Sequence, residues 1–379
     1  MTIKKLFAVL VALLAAASAL VPAGVVNAAY RFSDFQGKPP VHVFRSAEKA
    51  PSGVTPAEIK KIYNLPATGG KGTIALIDAY DDANMESDLA VFDKQFNLPV
   101  CTTANGCFEK HKMATSTATD SGWAMETSLD VEWAHAIAPG AKILLVEAKT
   151  PSGANLLSAI DYATSRKDVV AISMSWGGAE FSDELSYDAH FVDKANPAAA
   201  FFASSGDDGT GASWPASSPN VIGVGGTSLQ LASSGALIAE SAWSGSGGGV
   251  SAYEKEPAYQ TAYKISKANG MRAIPDVSYD ADPASGYPIY ITTGTGSKAK
   301  GAWDTVGGTS AGAPQWAAVQ ALGGSTALTK FYVDKASTST LKYFRDITSG
   351  SNGDCTYYCD ARKRYDYVTG LGSPQTTKF

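Results

Sequence analysis

The sequence predicts an α/β fold: one mostly parallel central sheet with helices on both faces. Continuous apolar runs recur along it, "GTIALIDAY", "AKILLVEA", "DVVAISMSW", "AAAFFASSG" and "NVIGVGGTSL". Strands that are apolar on successive residues belong to sheets covered on both sides. Helix-like stretches fall between them, "ESDLAVFDKQFN", "METSLDVEWAHAIA" and "NLLSAIDYATSR", as right-handed crossovers between parallel strands require. A length of 379 residues, 45% of them hydrophobic, supplies one large core, and no internal repeat divides it.

At the N-terminus, Lys4 and Lys5 precede the apolar run "LFAVLVALLAAASALV", and "VNA" ends at Ala28 with the small residues that signal peptidases need. Residues 1–28 therefore read as a signal peptide, and the protein as secreted to the extracellular space. A membrane anchor fits less well, because Pro22 and Gly24 interrupt a run that is already short. Residues 29–50 are polar and proline-bearing, a short lead-in to a single domain over residues 51–379. The chain holds 31 basic and 36 acidic side chains with no basic stripe, so nucleic acid is not an expected partner. No later run is apolar for long enough to span a bilayer. Secretion favours two small disulfide loops, Cys101–Cys107 and Cys355–Cys359. Zinc fits these cysteines poorly, since neither pair has CxxC spacing and no histidine lies near Cys355.

In parallel sheets, sites gather beyond the carboxyl ends of the strands. Asp78 after "TIALI", Trp176 after "VVAISMS" and Asp207 after "AAFFASSG" are placed there. A further candidate is Ser310, in "GAWDTVGGTSAGAPQWAA", on a glycine-rich bend before a helix-like run. It reads equally as a nucleophile at a helix N-terminus or as an N-cap.

A serine nucleophile needs a base. None of His42, His111, His135 and His190 has a glycine-flanked setting, and only His135 lies on a helix that also bears acids. Carboxylates offer an alternative. Glu126 and Asp130 are four residues apart, so a helix stacks them on one face. Among Leu129, Val131, Trp133, Ala134 and Ile137 such a pair is tolerable if it shares a proton, which makes a general base with a proton-holding partner. A solvated helix face is the plainer reading of the same spacing.

Seven blocks in register, "ETSLDVEWAHAIAPGA", "AISMSWGGAE", "ASSGDDG", "GGVSAYEKEPAYQ", "AIPDVSYDADPASGYPIY", "VGGTSAGAPQWAA" and "YDYVTGLGSP", resemble the sedolisins, the serine-carboxyl peptidases, in their kumamolisin-like form. The match runs in order from about Val54 to Pro374. The resemblance implies a subtilisin-like fold in which glutamate replaces the histidine base. Ser310 then matches the nucleophile, Glu126 the base, Asp130 its supporting aspartate and Asp207 the aspartate of the oxyanion hole. Asp78 and Trp176 fall where the family extends the hydrogen-bond chain, although the family usually has glutamate where Asp78 stands. "FRDITSGSNGDCTYYCDARKRYDYVTGLGSP" resembles the family's calcium loop. Asp346 and Asp366 match its carboxylate ligands and Ile347 its first carbonyl. Arg362 and Arg364 stand where the family has two glycines. The implied protein is a monomeric, acid-acting peptidase with one structural Ca2+ and polypeptide substrates. The family usually carries a long pro-segment that assists folding and blocks the site; here a short lead-in separates the signal from the catalytic blocks, so the chain is expected to fold unaided or with a separate partner.

Overall fold

The computed structural model describes residues 30–115, 118–294, 299–324, 326–332 and 343–377. The segment read as a signal peptide lies outside them. Along the chain come β1 (His42–Glu48), α1 (Pro56–Ile62), β2 (Thr73–Ala79), α2 (Met85–Phe96), β3 (Phe108–Lys112), α3 (Ser121–Ile137), β4 (Lys142–Ala148), α4 (Gly153–Thr164) and β5 (Val169–Met174). Then follow β6 (Gly178–Ala179), β7 (Ala200–Ser204), β8 (Ser213–Trp214), β9 (Ile222–Leu231), β10 (Leu237–Ala242), β11 (Gly249–Lys255) and α5 (Ala258–Tyr263). The last elements needed here are β12 (Met271–Ile274), β13 (Val277–Asp280), β14 (Tyr287–Thr293), β15 (Lys300–Gly307) and α6 (Gly312–Ala321).

The five apolar runs became β2, β4, β5, β7 and β9, the heart of an eight-stranded sheet ordered β10-β9-β7-β5-β2-β4-β3, with β13 also beside β9. Its pairs are parallel except for β10 on β9. The expected helices are α2, α3 and α4. Side chains alternate across a strand. On β2, Ile74 and Leu76 join a core with Trp133 of α3 and Trp316 of α6, while Ala75, Ile77 and Ala79 join a second core with Leu156 and Ile160 of α4. One sheet thus divides two apolar layers, as the fold class requires.

Two further elements complete the strands around the site. Polar "FEKHK" is a strand, β3, because it pairs at the sheet edge and leaves its outer side to polar groups. The lead-in is ordered: β1 pairs antiparallel with β15, which pairs in turn with β14.

Candidate active site

The α3 helix starts at Asp120, whose carboxylate accepts from the N–H of Gly122 (2.9 Å) and Trp123 (3.1 Å). From Glu126 to Ile137 it is buried, wedged between the sheet and the β14 layer. The plainer reading of Glu126 and Asp130 as a solvated face is therefore excluded: both are fully buried. Asp78 follows Ile74 and Leu76 on the face of β2 turned to α3, and Glu147 is its register partner on β4. Four carboxyl groups therefore share one low-dielectric layer. Burial, then Asp130 and Asp78, pushes Glu126 well above the usual carboxylate range, although the Ser310 hydroxyl lowers it in part. Burial and then Asp78 do the same to Asp130. Burial and then Glu147 push Asp78 up to about 8. A low-dielectric layer favours neutral acids, and like charges there cannot all ionise together.

Ser310 enters from the other side. β15 ends at Gly307, a tight turn follows, and α6 begins at Gly312. Gly308 sits in the left-handed region, φ 132°, and a methyl group there would meet the Pro40 carbonyl oxygen at 2.1 Å and Oδ2 of Asp207 at 2.5 Å. Only glycine fits both demands. The Ser310 hydroxyl caps nothing and has no hydrogen bond of ordinary geometry among the described residues. That removes the N-cap reading. Behind it, Ser175 Oγ donates to Asp130 Oδ1 (2.7 Å) and lies 3.4 Å from the Ser310 carbonyl oxygen.

Asp207, beyond β7, is held by Thr309: the backbone N–H and the hydroxyl both reach Oδ1, at 2.8 and 2.7 Å. Burial raises its pKa against these donors and His42. Oδ2 faces His42 Nε2 at 3.1 Å. Reading the sequence for a base set His42 aside, yet it touches the site. The signal that could have found it is "KPPVH", a stiff extended run ending in a titratable group.

Trp176 is fully buried beside the end of β2. Its Nε1–H donates to the Ile77 carbonyl (2.9 Å), not to a carboxyl group. His135 is buried, with Nε2 2.9 Å from the Pro99 carbonyl oxygen, and burial lowers its pKa to about 4. It serves the core. His190 pairs with Asp161 (2.7 Å) and His111 stacks on Tyr162.

Both disulfides are formed, Cys101–Cys107 and Cys355–Cys359. In the C-terminal loop, Asp346 accepts from the Arg364 N–H and Asp366 from the Arg362 N–H, so both aspartates border the same turn. Arg364 takes the left-handed conformation, φ 69°, that a glycine would supply without cost. The Arg362 guanidinium turns away to Asp360 and the Tyr357 ring. Neither Asp346 nor the buried Asp366 has an ion-pair partner among the described residues. Two such carboxylates on one turn are oxygen donors of the kind that calcium prefers.

The description "Subtilase family" fits residues 112–343. Sedolisin of Pseudomonas sp. (strain 101) is 28% identical over 376 residues, spanning 86% of this chain and 60% of its own length. Kumamolisin of Bacillus sp. (strain MN-32) is 31% identical over 373 residues, spanning 87% of this chain and 63% of its own. The chain thus covers under two thirds of either relative. The solved structure of Pseudomonas sedolisin, a serine-carboxyl proteinase complexed with two molecules of pseudo-iodotyrostatin, superposes with a TM-score of 0.71 at 27% identity. It covers 87% of this chain and 96% of that one. The fold is the subtilisin-like α/β fold, and the chain belongs to the subtilase family, among the relatives of sedolisin and kumamolisin.

Proposed function

We propose that this protein is a serine-carboxyl endopeptidase that hydrolyses polypeptides in acid through Ser310, Glu126 and Asp130. One observation carries the reading: the Ser310 hydroxyl faces a fully buried carboxyl couple, while His42 faces Asp207, His135 the Pro99 carbonyl, His190 Asp161 and His111 the Tyr162 ring. Ser310 Oγ attacks the scissile carbonyl while Glu126 accepts its proton and then delivers it to the leaving amine. Asp130, oriented by Ser175, holds the second proton of the couple. Water then attacks the acyl-enzyme with Glu126 again as base. Asp207 serves the oxyanion: with Oδ1 fixed by Thr309, Oδ2, which faces His42, is the oxygen that carries a proton and donates it as a hydrogen bond. A neutral acid is required there, so activity belongs to low pH.

Export through residues 1–28 and a structural Ca2+ complete the proposal. No helix among the described residues is long and apolar enough to cross a membrane. The ion would be held by the carboxylates of Asp346 and Asp366 with the carbonyls of Ile347, Arg362 and Arg364, and would stiffen the C-terminal loop.

Tripeptidyl-peptidase 1 of Dictyostelium discoideum is also similar, 27% identical over 368 residues, so removal of tripeptides is the competing reading. Purified protein incubated with denatured casein across acid pH, with the fragments sequenced, decides. Internal cleavage supports the endopeptidase, successive tripeptides support the alternative, and no cleavage at any acid pH refutes both.

A further inference from the structure

The backbone on either side of Asp207 is held by one strip of chain, Gly245–Gly248. Before Asp207, the Gly247 N–H donates to the Gly206 carbonyl (2.7 Å) and the Ser205 hydroxyl donates to the Gly247 carbonyl (2.7 Å). After it, the Gly209 N–H donates to the Gly245 carbonyl (3.0 Å) and the Gly211 N–H to the Gly248 carbonyl (2.7 Å). The strip is pressed from both sides. A side chain at Gly247 would strike the Ser205 carbonyl oxygen, and one at Gly248 that of Tyr367. Its far side rests on the C-terminal segment. Asn352 Nδ2 donates to the Ser246 carbonyl (2.6 Å), while Ser246 Oγ donates to the Val368 carbonyl (2.8 Å) and accepts from the Gly226 N–H (2.8 Å). Ser246 and Val368 are fully buried, and Asn352 almost so.

We propose that Ser246 and Asn352 are positioning residues for Asp207: through the strip Gly245–Gly248, the C-terminal segment fixes where the oxyanion aspartate stands. The proposal rests on the peptidase reading and deepens it.

Thr309 fixes one oxygen of the Asp207 carboxyl group, but the place of the residue depends on its backbone. The loop "GDDGTG" offers little of its own to fix that. Asp208, Thr210 and Gly211 are exposed, so the loop takes its position from its inner partners, Thr309 and the strip. An oxyanion donor has to stand within a fraction of an ångström of its working place. The strip can hold it there only if the strip is itself held. Asn352 does this on one side and is anchored in turn, its N–H donating to the Cys359 carbonyl (3.0 Å). Ser246 does it on the other through Val368, whose N–H donates to Asp366 (2.9 Å). The Asn352 carbonyl also bears directly on Gly209, where a Cβ would meet it at 2.6 Å. Asn352 Oδ1 is buried with no hydrogen-bond partner among the described residues, an arrangement that costs stability. The amide is there for what Nδ2 does. The path from the C-terminal segment to Asp207 is thus two hydrogen bonds and a short run of backbone, all of it inside the protein.

The test is a double-mutant cycle on the full chain. Asn352→Ala, and separately Gly209→Ala, are made in the otherwise unaltered protein and on an Asp207→Ala background, and turnover of a casein peptide is followed near pH 4. In the unaltered background each should lower kcat at least about fivefold, with KM within about twofold, because an oxyanion donor acts on the transition state. Where Asp207 is already alanine, the same substitutions should change kcat less than about twofold. An equal loss on both backgrounds marks damage to the fold at large and overturns the proposal, as does an unchanged kcat. A second arm needs no turnover. Amide hydrogen exchange over residues 205–211 should quicken at least about tenfold in Asn352→Ala, while β2 keeps its protection. Unaltered exchange at 205–211 overturns the proposal as well. If no chain cleaves anything while the exchange follows this course, the peptidase reading fails and the support of the loop stands.

Discussion

Thr309 closes both its N–H and its hydroxyl on a single oxygen of Asp207, at 2.8 and 2.7 Å, and so leaves the other oxygen, which faces His42 at 3.1 Å, for the chemistry. The arrangement separates positioning from chemistry within one carboxyl group. Asp207→Asn keeps both: its amide oxygen can accept from Thr309, and its NH2 donates at the Oδ2 position at any pH. We therefore expect Asp207→Asn to retain measurable turnover and to shift the alkaline limb of the kcat/KM profile upward. Asp207→Ala should lose about 10²–10³-fold in kcat, the usual cost of one oxyanion donor. A pH–rate series on the two variants checks this, and an unmoved alkaline limb in Asp207→Asn removes Asp207 from the titration.

The buried acids set how stability varies with pH. Asp78 is pushed up to about 8 and Glu147 to about 7, in each case mainly by burial. Glu126 and Asp130 are raised as well. An acid whose pKa is higher folded than unfolded binds more protons in the native state. Its stabilisation is complete below the unfolded value near 4 and is lost as pH rises through the folded value. The melting temperature should accordingly fall between about pH 4 and pH 8. Asp78→Asn should flatten that slope and raise Tm near neutral pH by a few degrees, on the order of 2–4 °C per kcal/mol for a chain of this size. Thermal melts across the range are the check. A Tm that climbs toward pH 8 contradicts the placement of these groups.

How much of this could be read from residues alone follows the physics of each part. β2, β4, β5, β7 and β9 are apolar on both faces, so their strands declared themselves. Glu126 and Asp130 share a helix, and one periodicity places both. Asp78 could be placed near them by alternation alone, because Ile74 and Leu76 fix the face it uses. The partner of the Trp176 indole could not be read, since a carbonyl oxygen is present at every residue and leaves no mark in sequence. His42 escaped for a related reason: its segment is held by backbone hydrogen bonds to Pro151 and Gly177 and by one ion pair. None of these produces a pattern along the chain.

If Ser310 and Glu126 act as one unit, removing either disables the step that the other performs. Ser310→Ala and Glu126→Gln should each lower kcat by at least about 10³-fold, and the double variant should fall little further. Both single variants should fold. Ser310 Oγ has no hydrogen bond of ordinary geometry among the described residues and touches only Glu126, and Glu126→Gln replaces a buried carboxyl group by an amide of almost unchanged shape. Circular dichroism beside a casein assay tests the pair, and normal turnover by either variant takes that residue out of the mechanism.

The C-terminal loop offers the last test. Asp366 accepts from the N–H groups of Arg362, Val368 and Thr369 and from the Thr369 hydroxyl, and Asp346 accepts twice from Arg364 N–H. These donors orient the carboxylates, but none carries a full charge to balance them. A divalent cation would, and anything that binds only the folded chain stabilises it by RT ln(1 + [L]/Kd), about 4 kcal/mol at a thousandfold excess over Kd. Calcium added to chelator-treated protein should thus raise Tm by several degrees, and Asp346→Asn should remove most of that rise. Magnesium should act weakly, since it demands stricter octahedral geometry and gives up its water reluctantly. If saturating calcium leaves Tm where chelator put it, the loop is closed by its own hydrogen bonds and by Cys355–Cys359, and the ion has no structural role here.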